Sequence, residues 1–289
     1  CGKTSLLNIL TGNVSGGITA EWETKLSGRS AFVPQDDCLH GFYSCKSYMR
    51  HYSSLSGLAY NDEIVDELFE GLGLTNHADT IVGDIFRKGL SGGQKRRLSV
   101  ALEALSNPET LLLDEPTSGL DSESAYRMLC FLREYVKPKG RRVILTIHQP
   151  SSFLWKLVDN VVLLSKGKLM YEGPRENMGD FFTRNGCPCP PEYNPADHFV
   201  ALVNDEFVLH QKTVDDWATT FQNWEEDDVE NSDSCDASTR SISTAITCTP
   251  EIIAASSSRA RWPQAALALI NRYFLNLWLN PGILGTRIA

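Results

Sequence analysis

The sequence predicts an α/β domain with a mainly parallel central sheet, a peripheral antiparallel β-region and a helical subdomain. Two observations carry the prediction. Short apolar runs at 30–33, 110–114 and 143–147 read as buried strands, and each delivers polar residues at its end: Gln35, the pair Asp114 and Glu115, and His148. In a parallel sheet the C-terminal strand ends are where ligands gather. The other observation is the run Leu90-Ser91-Gly92-Gly93-Gln94-Lys95-Arg96-Arg97, glycine-rich and then basic, which opens an apolar-periodic helix through Leu98, Ala101, Leu102 and Leu105. Backbone N–H groups at such a helix start favour an anion.

Composition sets the bounds. With 289 residues the chain has room for one large domain or two smaller ones, and 42% hydrophobic with 22% charged residues fits a soluble globular protein. The net charge of −9 argues against a general nucleic-acid binder, so no nucleic-acid partner is expected. Much of that acidity sits in Glu225-Glu226-Asp227-Asp228-Val229-Glu230. Eight cysteines without a paired framework suggest a reducing compartment, and Cys187-Pro188-Cys189, the single close pair, reads as packing or loop cysteines rather than a zinc site. The chain has no initiator Met and no signal peptide; it begins inside a motif and stops inside an apolar segment, as a piece of a longer protein would. No uninterrupted run reaches the roughly 18–20 apolar residues of a membrane span.

Taken in order, Gly2-Lys3-Thr4-Ser5 matches the second half of the phosphate-binding pattern G-x-x-x-x-G-K-[ST] and leads into a helix with Leu6, Leu7, Ile9 and Leu10 on its apolar face. In that pattern backbone N–H groups cradle phosphates, the lysine reaches the β- and γ-phosphates, and the Thr4 hydroxyl ligates Mg²⁺. Residues 13–30 fit the small peripheral β-region. Gln35, just past the first strand, can touch a metal or an attacking water. Helices are expected over 44–56 and 61–72, the second with Ile64, Val65, Leu68, Phe69 and Leu72 on its packed face behind an Asn61/Asp62 cap; the helical subdomain spans about 44–106. After the strand ending at Asp114 and Glu115, one carboxylate can hold a metal and the other can take a proton from water, which is the chemistry of nucleotide hydrolysis.

Asp121 caps the next helix, lined by Ala125, Met128, Leu129 and Leu132. A further buried parallel strand then runs to His148-Gln149-Pro150. Residues 161–164 and 168–171, around Lys166-Gly167, form a closing hairpin. Helices follow over 174–184 and 195–203, the latter entered through Asn194-Pro195. From 204 to 258 the composition turns acidic and Ser/Thr-rich, and this stretch reads as a linker. Within 259–289, residues 262–279 are unusually aromatic (Trp262, Tyr273, Phe274, Trp278) with Arg272 interleaved. They read as a connecting, interfacial amphipathic helix rather than one packed on the domain, and Ile283-Leu284 then begin a first membrane segment.

The motifs Gly-Lys-Thr, Gln35, Leu-Ser-Gly-Gly-Gln, Leu-Leu-Leu-Asp-Glu-Pro, Ser118-Gly119-Leu120-Asp121 and His148 occur in that order. Together they resemble the nucleotide-binding domain of ATP-binding cassette (ABC) proteins, a P-loop NTPase fold, over residues 1–203. Asp114 to Ser122, Thr146 to Ser152 and Asn194-Pro195-Ala196-Asp197 are similar to subfamily G, the eye-pigment and sterol/multidrug half-transporters. The resemblance implies ATP and Mg²⁺ as cofactors. Gly2, Lys3, Thr4 and Ser5 would hold the phosphates, with Thr4, Gln35 and Asp114 at the Mg²⁺. Glu115 would be the general base, and Gln35 and His148 would contact the γ-phosphate side. Ser91, Gly92, Gly93 and Gln94 would complete the site of a partner subunit, and Asp121 would lie at the dimer seam.

The resemblance further implies a second nucleotide-binding domain in a homo- or heterodimer, a transmembrane domain in the same polypeptide, contact with membrane lipids, and a cytoplasmic-side location at a membrane. It implies ATP-driven export of a lipid-like or hydrophobic substrate. A soluble ABC-type ATPase without a transport role is the alternative, separated by membrane extraction of the full-length protein.

Overall fold

The computed structural model describes residues 2–11, 26, 28–137, 140–204 and 213–231, the last stretch with side chains as far as Trp224. In chain order the helices and strands are α1 (Lys3–Leu10), β1 (Ser30–Val33), α2 (Cys45–Ser56), α3 (Asp62–Gly71), α4 (Gly92–Leu105), β2 (Thr110–Leu113) and α5 (Ser122–Val136). There follow β3 (Arg142–Leu145), α6 (Ser152–Trp155), β4 (Asn160–Ser165), β5 (Lys168–Pro174), α7 (Arg175–Arg184), α8 (Pro195–Leu202) and α9 (Val214–Asn231). Among the described residues they divide into two compact units, one over Gly28–Leu145 and one combining α1 with the elements from Thr146 to the end of α9.

The unit over Gly28–Leu145 is built on the parallel sheet β1-β2-β3, in which Val33, Leu113 and Leu145 stand in register at the C-terminal ends. All four residues of β2 are buried, as its central place requires. β3 is less buried than expected: among the described residues it is paired on one side only, with β2, and the last rung is Leu113 with Leu145.

Helix α4 runs beneath the sheet against α2, α3 and β1, and Leu98, Val100, Ala101, Leu102 and Ala104 bury it on most of its circumference. Its neighbours are shaped by local chemistry. Asn61 accepts the Glu63 N–H at 2.8 Å to start α3, and Gly57 at φ 69° ends α2 in the left-handed turn that glycine permits. On α3, Val65, Leu68 and Phe69 are buried as expected, as is Leu72 at its C-cap, but Ile64 is 45% exposed. The apolar stripe is one residue narrower than the periodicity suggested.

In the other unit, β4 and β5 form an antiparallel hairpin turned at Lys166-Gly167, both at positive φ. Its core is aromatic. Phe182 stacks on Phe199 with ring centroids 4.6 Å apart, and Tyr171, Phe181, Trp217 and Phe221 close around them. Two of these residues correct the reading of 204–258 as linker: α9 occupies Val214–Asn231 and buries Val214, Trp217 and Phe221. The helix starts on a capping box, in which Thr213 and Asp216 exchange hydrogen bonds of 2.8 and 3.3 Å. An acidic, threonine-rich composition concealed an apolar stripe of only three residues.

No helix among the described residues is long and apolar enough to cross a membrane. The connecting helix expected over 262–279, the membrane segment expected after it and most of the β-region expected over 13–30 lie outside the described residues.

Candidate functional site

The register of β1 and β2 sets two turns side by side, Pro34-Gln35 and Asp114-Glu115, and the Asp114 N–H adds one more rung by donating to the Val33 carbonyl at 2.9 Å. Asp114 is 1% exposed, whereas Gln35 is at the surface and Glu115 half-buried. Gln35 Nε2 donates to Glu115 Oε2 at 3.3 Å. With the amide nitrogen engaged there, the Gln35 oxygen is the atom left to face a cation or a water. Glu115 has φ 48°, in the left-handed region that costs a non-glycine residue of order 1 kcal/mol, and the turn is closed by Ser118 N–H donating to its carbonyl at 3.1 Å.

Beneath these turns lies a residue that the motifs did not single out. Arg96, 3% exposed on α4, donates Nη1 to the Pro34 carbonyl and Nη2 to the Asp114 carbonyl, and pairs with Asp37 at 3.3 Å. Ser99 Oγ donates to the same Asp37 oxygen at 2.7 Å. The signal was helical phase: Arg96 is four residues before the buried Val100, so its side chain faces inward while its charge suggested solvent.

The glycine-rich run becomes the start of α4. Ser91 is its N-cap: Ser91 Oγ accepts the Gln94 N–H at 3.3 Å, and Gln94 Oε1 accepts the Ser91 N–H at 2.8 Å. Because that bond assigns the oxygen, the Gln94 NH₂ group faces His77 Nε2 at 2.9 Å and donates to it. Gln94 is therefore engaged in shaping the helix start. Gly92 is exposed with open space where a Cβ would be, and a Cβ on Gly93 would come within 2.8 Å of Leu120 Cδ2. The run thus packs against the turn that precedes Asp121. Asp121 caps α5 by accepting the Ser124 N–H at 3.0 Å, and hydrogen bonds from Ser124 hold its carboxyl below the usual aspartate range.

The remaining expected site residues lie in the other unit. Gly2, at φ 96°, leads into α1, whose first-turn residues Thr4 and Ser5 are exposed. Lys3 Nζ donates to the Ile147 carbonyl at 3.2 Å, and Asn194 Nδ2 donates to the Pro150 carbonyl at 2.7 Å and to Asp197 Oδ2 at 2.9 Å. The segment His148-Gln149 is thus held at both flanks, with the His148 side chain exposed. Lys3 and His148 are brought together in this unit, as Gln35, Asp114 and Glu115 are in the other.

Among the described residues no cluster of three or more His, Cys, Asp or Glu could hold a metal by itself. Within the unit over Gly28–Leu145, the Gln35 amide oxygen and the buried Asp114 carboxylate are oxygen donors of the kind that suits Mg²⁺. That cation takes oxygen ligands, keeps waters and is commonly shared with substrate phosphates.

Two family models match the chain: ABC transporter over residues 1–118 and ABC-2 type transporter over 148–224. Among curated proteins, the chain is 38% identical over 219 residues to ABC transporter G family member 13 of Arabidopsis thaliana, covering 71% of this chain and 32% of that protein. It is 35% identical over 233 residues to the broad substrate specificity ATP-binding cassette transporter ABCG2 of Bos taurus, with 75% and 35% covered. It is 37% identical over 220 residues to Protein white of Drosophila melanogaster, with 70% and 32% covered. The chain thus spans about a third of the length of these relatives.

Proposed function

The chain belongs to the ABC transporters, subfamily G, and from that premise we propose that residues 1–203 are the ATP-hydrolysing motor of a membrane half-transporter. One observation carries the reading: the paired ends of β1 and β2 set the Gln35 amide 3.3 Å from the Glu115 carboxylate, beside the buried Asp114. In this role Glu115 takes the proton of the attacking water and Gln35 orients that water with its amide, while Asp114, Gln35 and Thr4 are the residues that would hold Mg²⁺. Bound Mg²⁺ supplies charge neutralisation at the phosphates. The α1 N–H groups and Lys3 bind phosphate, and His148 lends a hydrogen bond at the γ-phosphate.

Ser91, Gly92 and Gly93 contribute to the nucleotide site of a second, identical or related domain, with Asp121 at the seam. Their placement at the exposed start of α4, against the turn before Asp121, supports that division of labour. Hydrolysis then depends on assembly, since phosphoryl transfer is mainly a matter of positioning and charge stabilisation. The match of 148–224 to ABC-2 type transporters supports a transport role over that of a soluble ATPase. A lipid-like or hydrophobic cargo, a transmembrane domain in the same polypeptide and a cytoplasmic-side position complete the proposal.

The test is ATP hydrolysis by the full-length protein in lipid, wild type beside Glu115→Gln. Turnover lost at least 100-fold in the variant, with ATP-dependent dimer closure retained, is the expected result. Hydrolysis persisting in Glu115→Gln removes Glu115 as the base, and a wild type that hydrolyses nothing overturns the motor reading for a dimer of identical chains.

A further inference from the structure

A charged guanidinium inside a helix-and-sheet core needs strong partners, and Arg96 finds three acceptors from two different strand ends. The choice of partners is specific. Pro34 immediately precedes Gln35, and Asp114 immediately precedes Glu115. The planar fork of one guanidinium holds both carbonyls at once, which fixes the separation of the two turns. Asp37 and Ser99 hold the fork in turn: the Asp37 carboxylate lies 3.3 Å from Nη1 and accepts from Ser99 Oγ at 2.7 Å. Ser99 stands on the same helix as Arg96, so the whole assembly is anchored to α4.

That helix begins at Gly92, four residues before Arg96 and directly after its N-cap Ser91. A helix rises about 1.5 Å per residue and moves as a rigid element over so short a span, so a displacement at Ser91 reaches Arg96 with little loss.

We propose that Arg96 is a positioning residue for hydrolysis: through the Pro34 and Asp114 carbonyls it sets Gln35 against Glu115 and makes that setting depend on the placement of α4. This rests on the proposed function. On that reading Ser91, Gly92 and Gly93 serve the partner's nucleotide, so Arg96 connects what a chain contributes to its partner with the carboxylate of its own site. A lysine keeps the charge but not the fork, and satisfies one carbonyl at the expense of the other.

The experiment compares wild type, Arg96→Lys and Asp37→Asn as full-length protein in lipid, with steady-state ATP hydrolysis and hydrogen–deuterium exchange measured on each. Arg96→Lys is expected to lower kcat about 10- to 100-fold with KM for ATP within about twofold. Exchange rises in 32–37 and 112–117 while 98–105 keeps its protection. Asp37→Asn leaves the fork in place with a weaker third partner; kcat falls less and KM again holds. A kcat unchanged in Arg96→Lys overturns the proposal. So does a loss accompanied by raised exchange throughout α4, which marks Arg96 as merely structural. Should Arg96→Lys fail to fold, Asp37→Asn decides by the same criteria. Absence of turnover in the wild type counts against the motor reading alone, and the exchange pattern then decides the positioning role on its own.

Discussion

Gln35 and Glu115, eighty residues apart in sequence, meet side chain to side chain at 3.3 Å because β1 and β2 pair in parallel register. A neutral amide against a carboxylate is a donor–acceptor contact; two carboxylates there would repel. Gln35→Glu is expected to set a second carboxylate against Glu115 and to disturb the pair by like-charge repulsion as well as by loss of the donor. Gln35→Ala only removes a contact. Turnover should therefore fall further in Gln35→Glu than in Gln35→Ala, by about tenfold. Equal turnover in the two variants would contradict the arrangement.

Asn194 anchors the segment that carries His148. Asn194→Ala leaves the Pro150 carbonyl without its 2.7 Å donor and should cost ~1–2 kcal/mol of stability. Amide exchange over 147–151 should rise, and Asn194→Asp, which cannot donate, should behave alike. Unchanged exchange in that segment would show that Asn194 does not place it.

Asp121 links a helix cap to pH. Hydrogen bonds from Ser124 lower its pKa beneath the ordinary 3.8, so the folded state favours the carboxylate. The resulting stability is fully present above the unfolded pKa and is lost as pH falls through the lowered folded value. Asp121→Asn keeps a capping oxygen without the charge, and its melting temperature should decline less than that of the wild type between pH 5 and pH 2. Parallel declines would remove Asp121 from the acid response.

Glu103 works in the opposite direction. Burial raises its carboxyl above the ordinary 4.5, while the Tyr52 hydroxyl, donating at 3.0 Å, partly offsets the rise. Ionising it therefore opposes folding: the penalty is complete above the folded pKa and disappears as pH falls through that value. Glu103→Gln retains an acceptor for Tyr52 and carries no charge. It should melt higher than the wild type at pH 7, with the gap narrowing toward pH 4.5. A variant that melts lower at pH 7 would show the carboxylate to be stabilising.

What the sequence determined by itself was local. The helix starts at Asn61, Ser91 and Asp121 follow from side chains that reach backbone N–H groups two or three residues away, and the strands from continuous apolar runs. Gly2-Lys3-Thr4, Ser91-Gly92-Gly93, Asp114-Glu115 and His148 could be picked out as candidates because nucleotide chemistry needs particular residue types at short spacings. Even the start of α9 was legible in the Thr213/Asp216 capping box, though acidic composition outweighed it.

Only the tertiary structure decided which distant groups meet. The partners of Arg96 lie 62, 59 and 18 residues away, and His77 stands 17 residues from the Gln94 it orients. Composition marks an arginine in a basic run as solvated. It becomes a buried clamp because α4 is covered on most sides, and a guanidinium shut away from water must find acceptors wherever the sheet supplies them. Helix phase and spacing specify which face a residue occupies, but what stands opposite that face is set by the packing of elements far apart in the chain.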